Sequence, residues 1–184
     1  LSCLDAFHYL GFDDIAANED QGSASVFTRS GTTWTQQAQL TAPGGGAFEN
    51  FGAAVALGAP GDTAIVGVPY GRVGANGDQG SACVFVRAGA SWSLQARLTA
   101  SDGAASDYFG SSVVISGDTA TIGSPYDDVG SNSNQGSAYF FVRSGSSWSQ
   151  QAKLTAANGA AGDVFGTSVA LSGDTALVGA DRDD

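Results

Sequence analysis

Two pairs of adjacent carboxylates are the groups in this chain best placed to do chemistry: Asp13-Asp14 and Asp127-Asp128. The first is followed by Asn18 and Asp20, the second by Asn132 and Asn134 in the loop "PYDDVGSNSNQG". Hard oxygen donors in a glycine-containing loop suit calcium, so Asp13, Asp14, Asp127, Asp128, Asn132 and Asn134 are the candidate metal ligands. The competing account is Asx turns and ordinary loop polarity. The intervening copy of this loop carries Gly71-Arg72 where the paired acids stand, which argues against a site common to all copies. A third acidic series, Glu49, Asp107 and Asp163, stands two residues ahead of each Phe-Gly dipeptide. Recurrence at one register points to a local bond to the backbone. His8 is the sole histidine, and a Ser-His-Asp triad would depend on it. No glycine-rich phosphate loop and no Cys/His cluster is present. No catalytic or cofactor-binding residue is assigned, and the expectation is a non-enzymatic protein.

Composition narrows the partners. Eighteen Asp and Glu against seven Lys and Arg give a net charge of −11 over 184 residues. Such a balance opposes nucleic-acid phosphates and an anionic membrane surface. No apolar run approaches the length of a membrane span. The 27 glycines would fit low complexity, but the aliphatic and aromatic residues are too regularly placed for disorder. Cys3 and Cys83 occupy different places in the repeat and are expected to be free thiols. The chain has no Met, so Leu1 is expected to begin a fragment or a processed chain.

The candidate ligands sit in a repeat. Trp34, Trp92 and Trp148 are separated by 58 and then 56 residues. Phe51-Gly52, Phe109-Gly110 and Phe165-Gly166 keep the same steps, as do "DQGSASVFTR", "DQGSACVFVR" and "NQGSAYFFVR". The longer first step comes from "LGAPGD", where the later copies have "ISGD" and "LSGD". The chain divides into a degraded partial repeat, 1–12, and units 13–70, 71–126 and 127–184, the last ending after the second strand of its pattern.

Each pattern reads as four antiparallel strands. "FGSSVVIS" and "TATIGS" flank a Ser-Gly-Asp turn; a long polar loop follows, then "SAYFFVR", a short turn and "WSQQAKLTA". No stretch holds a helical period. The third strand is apolar on both faces and is expected to lie between neighbouring sheets. The fourth alternates, Trp148, Gln150, Ala152 and Leu154 on one face and Ser149, Gln151 and Lys153 on the other, and is expected to be outermost. Each tryptophan is expected to pack on the neighbouring blade, and Arg29, Arg87 and Arg143 to reach solvent. The expected fold is all-β: tandem four-stranded antiparallel blades of a β-propeller. There are about three blades, too few for a ring of about four to eight. Closure would need oligomerisation or further blades of a longer chain.

In these residues the chain resembles the FG-GAP repeats of integrin-type β-propellers. Phe109-Gly110 and Phe165-Gly166 match the "FG" element. Gly67-Val68-Pro69 and Gly123-Ser124-Pro125 stand at "GAP", and Gly179-Ala180-Asp181 is a worn version. Gly58-Ala59-Pro60 falls in a turn instead. The resemblance covers nearly everything from Asp13 onward. It implies an extracellular or cell-surface scaffold for adhesion or for binding a protein or glycan ligand. It also implies calcium loops of the Asp-x-Asp-x-Asp-Gly kind between the first two strands. Ser116-Gly117-Asp118 and Ser172-Gly173-Asp174 stand there instead, each with one carboxylate, too few for a calcium cage. The alternative function is a structural subunit that associates with itself, as an oligomer or filament, through its blade faces.

Overall fold

A computed structural model describes residues 19–183. Twelve strands follow in order: β1 (Ala24–Ser30), β2 (Thr33–Leu40), β3 (Val55–Gly58), β4 (Thr63–Val68), β5 (Ser81–Ala88), β6 (Ser91–Leu98), β7 (Ser112–Ser116), β8 (Thr119–Ser124), β9 (Ser137–Ser144), β10 (Ser147–Leu154), β11 (Ser168–Ser172) and β12 (Thr175–Gly179). Among the described residues there is no helix. Hence none is long and apolar enough to cross a membrane.

The strands form two four-stranded sheets, β3-β4-β5-β6 and β7-β8-β9-β10, and two two-stranded sheets, β1-β2 and β11-β12. All pairings within them are antiparallel. Each four-stranded sheet takes its first two strands from one repeat window and its last two from the next. The half-sheets are the missing counterparts: β1-β2 corresponds to strands three and four, β11-β12 to strands one and two. Sheets stack in chain order, with β7 against β3 and β4, β11 against β7 and β8, and β6 between β2 and β10. First strands thus neighbour first strands and fourth neighbour fourth, an incomplete propeller.

The core lies between the sheets. Ile65 and Val84 meet Ile115, Ile122, Tyr139 and Phe141 in one cluster. Leu40 and Phe51 meet Val66, Val68 and Phe85 in the other. The third strand is covered on both faces: Ala82, Cys83, Val84 and Phe85 are all buried. No sheet could keep such a strand dry alone.

Two sequence expectations need correction. "FGSSVVIS" is not all strand, because β7 begins only at Ser112. Phe109 and Gly110 form a hook before it. The Phe109 ring packs on Tyr139 and Phe141 of its own sheet, with centroids 5.4 and 6.0 Å away. Its backbone belongs to the previous one: the amide donates to Gln79 O at 2.9 Å, and Phe109 bridges Gly80 in parallel. Phe165 repeats this on Gln135 and Gly136. A Cβ on Gly80, already at φ 82°, would strike Phe109 O, and one on Gly67 would strike Gly110 O. The repeated glycines are therefore places where two backbones touch.

The second correction concerns the fourth strand. A β-bulge interrupts its pairing with the third in all three copies, at Val26/Phe27, Val84/Phe85 and Gln150/Ala152. Trp148 and Gln150 oppose Arg143 and Phe141, but after the bulge Lys153 opposes Tyr139, while Ala152 and Leu154 oppose Phe140 and Ala138. Ala152 and Leu154 therefore leave the tryptophan face and Lys153 joins it. The extra residue re-aims every side chain beyond it.

Two of the three tryptophans reach the neighbouring blade. Trp92 Nε1 donates to Gln37 Oε1 of the previous sheet at 3.1 Å, and Trp148 Nε1 to Gln95 Oε1 at 2.8 Å. Gln37 and Gln95 are the bulge residues of their strands. Arg29 is exposed, and Arg87 and Arg143 are half-buried. Each guanidinium lies over the tryptophan of its own hairpin, 5.8, 5.9 and 5.4 Å from the ring centroid. Arg143 also pairs with Asp118 at 2.7 Å.

Candidate functional site

Antiparallel order sorts the connections onto two rims. The turns between strands one and two and between three and four are short and fall at one end of the sheets. The connections from strand two to three, and from strand four to the next sheet, are long and fall at the other. Residues 41–54, 69–80, 99–111, 125–136 and 155–167 are these long connections, and their backbones bond to one another. Phe48 N donates to Glu19 O, Tyr108 N to Asp78 O and Val164 N to Asn134 O.

Clefts open between neighbouring long loops. The cleft between the β3–β6 and β7–β10 sheets has a volume of 250 Å³ and is lined by Asp102, Asp107, Tyr126, Asp127, Asp128 and Lys153 among others. Lys153, brought here by the bulge, bonds Asp102 Oδ2 and Asp127 Oδ2, each at 2.7 Å. Its ammonium also sits 5.3 Å from the Tyr139 ring centroid. Tyr139 Oη donates to Asp102 Oδ1 at 3.1 Å. Burial pushes the Asp102 carboxyl up, but Lys153 and Tyr139 outweigh it and hold it below the usual range. Burial, with the charges of Asp127 and Asp128, pushes Asp107 up to about 6 against the pull of the Ala104 amide and Lys153.

The candidate metal ligands are placed as follows. Asp13 and Asp14, with Asn18, His8, Cys3 and the degraded repeat, lie outside the described residues. Asp127 is buried, accepts from Ser137 Oγ and pairs with Lys153. Asp128 Oδ1 accepts from the Asn134 backbone amide at 2.8 Å, an Asx-type loop closure. Asn132 Nδ2 donates to Gln135 Oε1 at 2.9 Å and Gly159 O at 3.1 Å, tying two loops together. Asp127 and Asp128 thus share a cleft, whereas the Asn132 side chain is spent between loops. Among the described residues no three His, Cys, Asp or Glu side chains gather as a metal cage. In the third acidic series, Asp107 and Asp163 each accept a backbone amide three residues back at 2.6 Å. Glu49 departs from this: its Oε2 is buried without a hydrogen-bond partner.

The FG-GAP repeat model matches residues 34–85, 92–141 and 148–184, and each matched stretch holds one of the hooked Phe-Gly pairs. The chain belongs to the FG-GAP repeat family. The matched stretches cover well over half of it. No curated protein matches the chain. As an FG-GAP protein it carries propeller-type sheets of the integrin kind, and its variable chemistry lies in the long loops.

Sequence reasoning missed three rim tyrosines. Tyr70, Tyr108 and Tyr126 form an edge-on ladder with centroids 5.0 Å apart at both steps. Tyr70 and Tyr126 each follow the proline of the "GAP" element, 56 residues apart, a signal that was available. Tyr108 comes from the other loop class and meets them only through the stacking of sheets. It also has a φ of 53°, an unusual setting for an aromatic residue. Burial, then the Asp78 charge and the two neighbouring tyrosines, raise its hydroxyl pKa.

Proposed function

We propose that this FG-GAP chain is a non-enzymatic extracellular recognition module that holds a protein or glycan ligand on its long-loop rim. One observation carries this: clefts recur in register between successive sheets on that rim, bridged by the Tyr70–Tyr108–Tyr126 ladder. Loops on a rigid scaffold are where binding residues concentrate, and partly exposed tyrosines give large contact area at small entropic cost. FG-GAP repeats are typical of extracellular or surface proteins and generally non-enzymatic. The test is a screen of the immobilised chain against protein and glycan arrays. Binding should fall in Tyr108→Asn, which tolerates the same backbone, and survive Asp174→Lys on the opposite rim. A ligand indifferent to the tyrosines, or hydrolytic turnover by the purified chain, would reject the proposal.

A second reading, a subunit that assembles with its own copies, is favoured by the two half-sheets that the described residues form. Repeat correspondence with the β8–β9 register would pair Thr175 with Thr28 through Gly179 with Ala24. β12 of one copy and β1 of another would complete a four-stranded sheet and cover Leu177, which is 74% exposed. Sedimentation velocity over a concentration series tests it. Concentration-dependent species lost in Leu177→Lys support assembly; a monomer throughout excludes it.

A further inference from the structure

The cleft between β1–β2 and the β3–β6 sheet is built on the same pattern as its acidic neighbour but has changed its chemistry. Its volume is 450 Å³, and Phe48, Glu49, Tyr70, Arg72, Asp78 and Arg97 are among its lining residues. By repeat position Arg97 stands where Lys153 stands in the next sheet, and Gly44 and Gly71 replace the two carboxylates, Asp102 and Asp127, that neutralise Lys153. Arg72 replaces Asp128.

Arg97 occupies the vacated room: a Cβ on Gly71 would lie 3.0 Å from its Nη2. Its Nε donates to Ser81 Oγ at 2.9 Å and Nη2 to Arg72 O at 3.4 Å. Arg72 Nη1 reaches only Ala75 O, at 3.5 Å. Among the described residues neither guanidinium has an ion pair, so most of their ten N–H donors face the cleft or solvent.

Two features mark this cleft out, and the first points to an occupant. Glu49 is 8% exposed, and its Oε2 is buried without a partner; an unpaired buried carboxylate oxygen calls for a donor. Phe48 has φ 64° and is 57% exposed, where the later copies have Ser106 and Gly162. The positive φ is common to all three copies, 67° at Ser106 and 90° at Gly162, so what is particular to this copy is the exposed aromatic ring beside the two arginines.

We propose that this cleft binds a single carboxylate-bearing sugar of the uronic acid type. The carboxylate lies between Arg72 and Arg97, whose planar forks suit it. The ring rests against Phe48 and Tyr70, and the hydroxyls donate to Glu49 and Asp78. An acidic peptide offers the same carboxylate but sets further carboxylates beside Glu49 and Asp78, and a polyanion is opposed by the charge of −11. The inference rests on the rim-recognition proposal and names its ligand class.

The test is a titration of the intact chain with sodium glucuronate, followed by amide chemical shifts, with glucose and triaspartate run in parallel. The expected result is saturable shifts in loops 41–54 and 69–80. Affinity should be roughly tenfold or more weaker for glucose and for Arg72→Ala. Arg72 is exposed, so its removal should leave the fold intact; Arg97→Gln is the second variant and should weaken binding likewise. Equal affinity for glucose, tighter binding of triaspartate, or no saturable shift overturns the inference. A rim ligand found by array that glucuronate does not displace overturns it while leaving the recognition proposal standing.

Discussion

At the scale of single residues, a repeated position does unlike work according to its neighbours. Trp148 and Trp92 donate to the bulge glutamine of the preceding sheet, whereas Trp34 is 63% exposed. Trp148→Phe should therefore cost about 1 kcal/mol in urea denaturation. Trp34→Phe should cost less than about 0.5 kcal/mol. A Trp148/Gln95 double-mutant cycle should return a coupling of about 1 kcal/mol. Asp107 gives a pH signature. Its carboxyl titrates near 6 in the folded chain against 3.8 for a free aspartate, so the folded state binds the extra proton between those values. Its contribution to stability is full below pH 3.8 and is lost as pH rises through about 6. Asp107→Asn should flatten that part of the decline in a melting-temperature profile. Lys153→Met would strand the buried Asp127 and should cost roughly 3 kcal/mol.

At the scale of strands and loops, much was legible because it is written locally. "TATIGS" is β8, and "SAYFFVR" lies wholly within β9, since β-branched and aromatic runs between turn signals need no tertiary information. The bulge left no such mark. "SWSQQAKL" alternates in sequence as a regular strand would, and only pairing with β9 shows that Gln151 is the extra residue. That one irregularity decides whether Lys153 and Arg97 line the clefts, so the candidate site was less legible than the fold. The glycines can be tested at this scale. Gly123→Ala would drive a Cβ into Gly166 O and should cost at least about 3 kcal/mol, the upper range of overpacking. Gly117→Ala meets no atom within 4 Å and carries only the strain of φ 58°, about 1 kcal/mol. Chemical denaturation of the two variants should keep that order.

At the scale of the whole molecule, the period gave the stacking of sheets, while the pairing of loops across them had to come from the coordinates. Tyr108 meets Tyr70 and Tyr126 only because two loop classes converge on one rim. Asp127 and Asp128, spaced like calcium ligands, proved to be tied to Lys153, Ser137 and Asn134 by the loops around them. The central claim is that each Phe-Gly hook fastens one sheet to the loop of the one before it, which is what holds the rim clefts in register. Native-state hydrogen exchange reads this directly. The amides of Phe109 and Phe165, bonded to Gln79 and Gln135 across sheets, should exchange as slowly as those of β8 and in the same cooperative opening. Exchange of these two amides at the rate of the exposed hairpin turns, while β8 stays protected, would contradict it.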